Sequence, residues 1–146
     1  MKVSQCMTRD VQTARADQPI RDAAQFMLKA DAGSIPVCDG ESIIGMVTDR
    51  DLAVRALAEG RGPETLLRDV MTEDVICCSE DDDVRTAAQK MSENKVRRIP
   101  VVSSDGEKLV GILSLGDITK GDAGVAERTL GEVTQHSALH NQSSEK

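Results

Sequence analysis

Gly45-Met46-Val47-Thr48-Asp49-Arg50-Asp51 returns further along the chain as Gly111-Ile112-Leu113-Ser114-Leu115-Gly116-Asp117. Each version has a glycine, two apolar residues, a hydroxyl, two free positions and an aspartate. Working outward, the rest of the chain is doubled too. Met7-Thr8 and Asp10-Val11 recur as Met71-Thr72 and Asp74-Val75, and Arg21 as Arg85. Ala23-Ala24-Gln25, Met27 and Ile35-Pro36-Val37 recur as Ala87-Ala88-Gln89, Met91 and Ile99-Pro100-Val101. After a two-residue insertion, Asp39-Gly40-Glu41 returns as Asp105-Gly106-Glu107. Self-similarity at a near-constant spacing means one supersecondary unit built twice. A unit of this size is marginal alone, so the two copies are expected to fold as one compact domain or two fused halves.

The pattern inside each copy predicts strand–helix–strand–strand–helix. Residues 2–7 read as a short leading helix and Val11-Gln12-Thr13 as a brief strand. Asp17 is placed to cap a helix with Pro19 in its first turn. Ile20, Ala23, Ala24, Met27 and Leu28 share one face of that helix, and Gly33 stops it. Ile35 to Cys38 and Ser42 to Val47 pair across Asp39-Gly40, a hairpin turn signal. A second helix covers about 49–58, with Leu52, Ala53, Ala56 and Leu57 inward, and Gly60, Gly62 and Pro63 open a linker. In the second copy Val75-Ile76-Cys77 is the strand, and Asp81 or a neighbour caps the helix carrying Val84, Ala87, Ala88 and Met91. Ile99–Val102 and Lys108–Leu113 form the hairpin, and Asp117 to Thr119 begin the closing helix. This gives an α/β (α+β) fold of two β-α-β-β-α units, 1–62 with the leading segment and 63–121. Two small helix-backed sheets would bury each other's apolar faces about a pseudo-two-fold axis. Residues 122–135 read as an amphipathic helix and 136–146 as a polar tail.

Composition narrows the function. Phe26 is the only aromatic residue, so the core must be aliphatic, and this scarcity argues against base-stacking platforms for single-stranded nucleic acid. A net charge of −7 argues against a duplex-binding face. No apolar run has the length of a membrane span, and the start lacks the apolar segment of a signal peptide. Cys6, Cys38, Cys77 and Cys78 have no zinc-like spacing and read as buried, reduced thiols of a cytoplasmic protein. Glu80-Asp81-Asp82-Asp83 lacks an ordered ligand spacing and reads as an acidic first helical turn. His136 and His140 have no evident third ligand. Both histidines lie in the tail, so no hydrolase triad can be assembled, and neither a Walker loop nor a GxGxxG fingerprint is present. No enzyme is expected.

The doubled junction offers two readings. The hydroxyls of Thr48 and Ser114 stand at helix starts, where unpaired N–H groups and the helix dipole attract phosphate. Asp51 and Asp117, one turn in, offer acceptor oxygens suited to the vicinal hydroxyls of a ribose. A hydroxyl followed three residues later by an acid is equally the signature of a helix capping box. The two uses are compatible.

Together, the paired Ile-Pro-Val strands and the Gly-apolar-apolar-Thr/Ser-x-x-Asp junctions resemble a tandem pair of cystathionine-β-synthase (CBS) domains, a Bateman module, over about residues 3–121. The resemblance implies binding of an adenosine-containing ligand in clefts between the units: AMP, ADP, ATP, NAD-type dinucleotides, S-adenosylmethionine or cyclic di-AMP. It implies that Asp51 and Asp117 hold ribose hydroxyls and that Thr48 and Ser114 meet ribose or phosphate oxygens. The base would lie near Val11, Thr13, Ile35 and Pro36 in one cleft, and near Val75, Cys77, Ile99 and Pro100 in the other. Arg97 and Arg98 resemble a phosphate-contacting pair; Gly33-Ser34 stand at their place in the first copy. Arg50 and Arg55 are weaker phosphate candidates, and Arg55 is expected in a surface ion pair. The resemblance further implies a homodimer associating through helical faces.

With no attached catalytic or transport domain expected, a regulatory nucleotide sensor acting on a separate effector protein is the leading expectation. An interaction protein with vestigial, unoccupied clefts is the alternative.

Overall fold

The structure, a computed structural model, describes residues 1–119; the expected helix over 122–135, the polar tail and both histidines lie outside the described residues. The fold is α+β. In chain order it comprises α1 (Ile20–Ala30), β1 (Ser34–Asp39), β2 (Ser42–Thr48), α2 (Asp49–Asp51, continuing as a π-helix over Leu52–Leu57), β3 (Cys78–Ser79), α3 (Val84–Asn94), β4 (Arg98–Val102), β5 (Leu109–Ser114) and α4 (Leu115–Thr119). Single 3₁₀ turns lie at Val3–Gln5 and Leu67–Asp69, at matching places in the two repeats.

The chain divides into two compact units that do not follow the repeat boundary at 62/63. Gln12–Val75 forms one, and Met1–Val11 joins the described residues from Ile76 to Thr119 to form the other. The leading segment therefore belongs with the second repeat, and the linker with the first. Backbone hydrogen bonds show why. Val3 and Ser4 N–H donate to the carbonyls of Asp82 and Glu80, and Leu67 and Arg68 N–H donate to those of Gln18 and Ala16. Each 3₁₀ segment thus docks beside the start of a long helix and plugs its core with a fully buried apolar side chain, Val3 or Leu67.

In the unit Gln12–Val75, β1 and β2 form an antiparallel hairpin with Ile35 opposite Val47 and Ser34 opposite Thr48. The turn places Gly40 at a φ of 64°, a conformation in which a Cβ is strained. The expected strand at Val11–Thr13 is displaced and shortened to one parallel bridge from Ala14 to Val37. In the other unit β3, expected at 75–77, lies at Cys78–Ser79 and pairs in parallel with Val101 and Val102 of β4, which pairs antiparallel with β5. Both offsets have one cause. The residues that pair are those whose side chains enter the core, Ala14 and Cys78, whereas Val11, Val75 and Cys77 are only partly buried and Thr13 is exposed.

A second chain segment closes each sheet on its far side. Thr8 exchanges backbone hydrogen bonds with Ile112 of β5 (2.9 Å each), and Thr72 with Met46 of β2 (2.8 and 2.9 Å). This is why Met-Thr and glycine recur together. A Cβ on Gly45 would stand 2.7 Å from Met71 Sδ and 3.0 Å from the Thr72 carbonyl oxygen; on Gly111 it would meet Met7 Sδ at 2.7 Å and Thr8 O at 2.8 Å. The glycines make room for the methionines that lie over them.

Helix details differ from the sequence pattern. Pro19, not Asp17, occupies the N-cap of α1, without a side-chain bond; Asp17 instead accepts from Arg15 Nε at 3.2 Å. α3 is capped by Asp83, whose carboxylate accepts from Arg85 N–H at 2.9 Å; that bond holds the Asp83 carboxyl below its usual range. Neither long helix stops on Gly33 or its counterpart. Asp31 and Lys95 take the left-handed conformation instead. Ala24 is exposed and Leu28 is 82% exposed, so the buried stripe of α1 is narrower than expected: Ile20, Ala23 and Met27. In α2 the buried residues are Asp51 and Ala56, five apart, while Ala53 and Leu57 face out. A π-helix widens the turn, and a face computed at 3.6 residues per turn drifts off it.

Each unit holds its own aliphatic core, one around Leu67, Val37 and Val47, the other around Met91, Ile99 and Leu113. Gly45→Ala is expected to lower unfolding free energy by about 1–3 kcal/mol through overpacking. Urea denaturation measures it, and Gly111→Ala, whose Cβ would meet Met7 Sδ and the Thr8 carbonyl in the same way, should lose a similar amount.

Candidate functional site

Each hairpin's second strand runs straight into a helix, and the switch from extended to helical backbone leaves N–H groups at the helix start without carbonyl partners. Thr48 is extended (φ −114°, ψ 165°), and its Oγ1 accepts from Asp51 N–H at 3.0 Å. Asp51 Oδ2 in turn accepts from Thr48 N–H at 3.0 Å. The second copy repeats the exchange: Asp117 N–H donates to Ser114 Oγ at 3.1 Å, and Ser114 N–H donates to Asp117 Oδ2 at 3.0 Å. Both junctions are complete capping boxes built with Asp. In each, one carboxylate oxygen serves the cap.

The other oxygen is where the copies part. Asp51, only 9% exposed, forms an i,i+4 ion pair with Arg55, Nε to Oδ1 3.7 Å. Arg55 Nη1 also donates to the carbonyls of Met71 (3.1 Å) and, more weakly, Val70 (3.4 Å). Asp117 Oδ1 instead lies 3.4 Å from the hydroxyl of Thr8. Sequence reasoning placed Arg55 in an ion pair without naming its partner and missed Thr8 altogether. The signal for Thr8 was the recurrence of Met-Thr, whose meaning depends on a pairing across the length of the chain.

The hairpin register brings Ile35 and Pro36 to the sheet end that carries Thr48 and Asp51, with Ser34 directly opposite Thr48. It likewise brings Ile99 and Pro100 beside Ser114 and Asp117, with Arg98 opposite Ser114. Arg97 meets the junction through its backbone, its carbonyl accepting from Leu115 N–H at 3.1 Å. Thr13 precedes Ala14, whose N–H donates to the Pro36 carbonyl at 2.9 Å. Cys77 precedes the paired Cys78, and its carbonyl accepts from Lys90 Nζ at 2.9 Å. Val11 and Val75 fall outside these groupings, Val11 in the unit without Ile35 and Val75 in the unit without Ile99.

The acidic run at 80–83 is consumed by local bonding. Glu80 accepts from Ser104 N–H, Asp81 from the Ser104 hydroxyl, Asp82 from Ser79 N–H and Asp83 from Arg85 N–H. Among the described residues no cluster of three or more His, Cys, Asp or Glu is positioned to hold a metal ion.

The two sequence repeats, each with a Gly-apolar-apolar-Thr/Ser-x-x-Asp junction, match the CBS domain at residues 3–57 and 67–124. The chain belongs to the CBS-domain family. Its relatives include the CBS domain-containing protein YhcV of Bacillus subtilis, 37% identical over 116 residues that span 80% of this chain and 81% of that protein. Hypoxic response protein 1 of Mycobacterium tuberculosis is 36% identical over 100 residues, 67% of this chain and 68% of that one. The crystal structure of Hypoxic Response Protein I with two coordinated zinc ions superposes with a TM-score of 0.74 over 82% of this chain and 98% of that one, at 30% identity. The CBS domain pair of MJ0100, solved in complex with 5′-methylthioadenosine and S-adenosylmethionine, gives a TM-score of 0.72 at 30% identity over 85% of this chain and 97% of that one. Among the described residues of this CBS pair, no helix is long and apolar enough to cross a membrane.

Thr48→Ala and Ser114→Ala each remove a cap and are expected to cost about 1 kcal/mol in denaturant titrations, with Thr48→Ser close to wild type. The thiols give a second expectation. Burial raises all four, and pushes Cys78 up to about 12. A raised thiol pKa contributes stability that is present below the unfolded-state value and lost as pH climbs toward the folded one. Native protein should therefore alkylate far more slowly than unfolded protein at pH 8, Cys78 slowest, and its melting temperature should fall above about pH 9.

Proposed function

We propose that this CBS pair is a regulatory module that binds an adenosine-containing ligand, with Asp51 or Asp117 accepting from ribose hydroxyls. The observation that carries the reading is the doubled carboxylate whose Oδ1 is not spent on the helix cap, set beside an apolar strand pair. A sugar diol needs acceptor oxygens of that kind. The adenosyl compounds bound by the MJ0100 pair support the same ligand class. Thr48 and Ser114 would serve as caps in the empty protein and turn toward ribose or phosphate oxygens in the complex. Ile35 and Pro36, or Ile99 and Pro100, would supply the apolar wall for the base, with Val11, Thr13, Val75 and Cys77 as further lining. Arg97 and Arg98 would meet phosphate through their bidentate forks.

The ligand would favour one conformation or association state over another, and so alter a separate effector in the cytoplasm. A homodimer fits this role. Leu28 of α1 and Leu57 of α2 are 82% and 76% exposed, and association through helices would cover them.

The completeness of both capping boxes favours a second reading, an interaction protein whose junctions hold helices and nothing else. Calorimetry separates the two. Across AMP, ADP, ATP, NAD, S-adenosylmethionine and cyclic di-AMP, the proposal expects binding of at least one compound. That binding should weaken by about tenfold or more in the double variant Asp51→Ala, Asp117→Ala, as the loss of charged hydrogen bonds requires. No heat of binding at millimolar ligand would leave the interaction protein as the better account.

A further inference from the structure

The repeat makes two junctions of one design, yet their acidic groups sit in different electrostatic company. In the first copy the oxygen of Asp51 that the cap leaves over faces the Arg55 guanidinium at 3.7 Å. That guanidinium is itself fixed, because it donates to the carbonyls of Met71 and Val70. Main-chain carbonyls at the end of the 3₁₀ segment cannot move away without unpicking the segment, so Arg55 is held in place from behind. In the second copy the sequence has Gly121 where Arg55 stands in the first. The oxygen of Asp117 left over by the cap meets only the Thr8 hydroxyl among the contacts described, at 3.4 Å, the far limit of a hydrogen bond. A hydroxyl is neutral, rotates freely and can accept as readily as it donates. It yields to an incoming sugar, or joins it.

We propose that Arg55 makes the two junctions unequal: Asp117 is the open ribose site for an uncharged adenosyl ligand, and Asp51 is latched by Arg55 against it. This rests on the adenosyl-binding reading above and assigns the difference between the copies to one residue. The physical basis is competition for a single carboxylate oxygen. At Asp51 a diol must share Oδ1 with a cation and gains little from a charge already balanced. At Asp117 it meets an acceptor that forms no ion pair among the described residues, and charge-assisted hydrogen bonds are the stronger kind. Arg55 is a positioning and specificity residue here, since it acts on ligand through Asp51.

The test is calorimetric titration of the full chain with 5′-methylthioadenosine, which has a ribose and an adenine but no phosphate to draw Arg55 away. Wild type should show one tight site per chain. Asp117→Ala should weaken that site about tenfold or more, while Asp51→Ala should leave it within about twofold. Arg55→Met, which keeps an unbranched apolar stem and removes the charge, should add a second site within about tenfold of the first. Melting curves establish that each variant is folded, and should Arg55→Met fail to fold, the contrast between the two aspartate variants decides. Two equal sites in wild type, a tight site lost in Asp51→Ala but kept in Asp117→Ala, or a folded Arg55→Met with no second site would each overturn the latch. The first two leave adenosyl binding standing. Absence of binding to every adenosyl compound would remove the underlying reading and the latch with it.

Discussion

A methionine lying across a glycine is the contact on which each unit depends. Met71 covers Gly45 and Met7 covers Gly111, so close that any Cβ would collide with sulfur and with the carbonyl of the following threonine. Through that gap the Met-Thr segment reaches the outer edge of the hairpin, pairs with it, and converts an exposed strand edge into an interior one. The 3₁₀ turn just before it sets Val3 or Leu67 in the core at the helix start. Sheet edge, core plug and helix start are therefore fixed by one short segment, and the junction that carries the aspartate lies at the end of the strand so fixed.

A carboxylate has two oxygens, so the helix cap takes one and leaves the other for the ribose contact we propose. One closes the helix start by accepting from the hydroxyl residue's own N–H. Glutamate, with its longer arm, suits a capping box that has only the helix to serve. Aspartate keeps its second oxygen close to the strand end. What surrounds that second oxygen, a guanidinium in one copy and a hydroxyl in the other, sets the chemical difference between the repeats.

Much of this was legible in the sequence. The repeat, both hairpins with their Asp-Gly turns, the long helices and the paired junctions follow from short-range patterns, and short-range physics forms them. The losses came where distant parts of the chain decide. The first strand of each copy sits later than its apolar residues imply, because pairing follows Ala14 and Cys78 into the core. Helix α2 turned the wrong residues inward when read at the α-helical period, since its π geometry buries Asp51 and Ala56 instead of Ala53 and Leu57. Asp17 looked like a cap and is bound to Arg15. At the junctions, the spacing of Thr48, Asp51, Ser114 and Asp117 announced the capping boxes; the contact between Thr8 and Asp117 joins opposite ends of the described chain, and no local pattern announces it.

The path of the chain has a consequence for its birth on the ribosome. Gln12–Val75 is one unbroken stretch, so all the segments of that unit have been made once Val75 is added. Residues 1–11, made before that stretch, have no sheet to join until β5 has been synthesised. They wait as an unattached thread while residues 12–75 and the strands that follow are made. Pairing of Thr8 with β5 thus has to follow the synthesis of β5, and it closes a long loop, which carries an entropic cost.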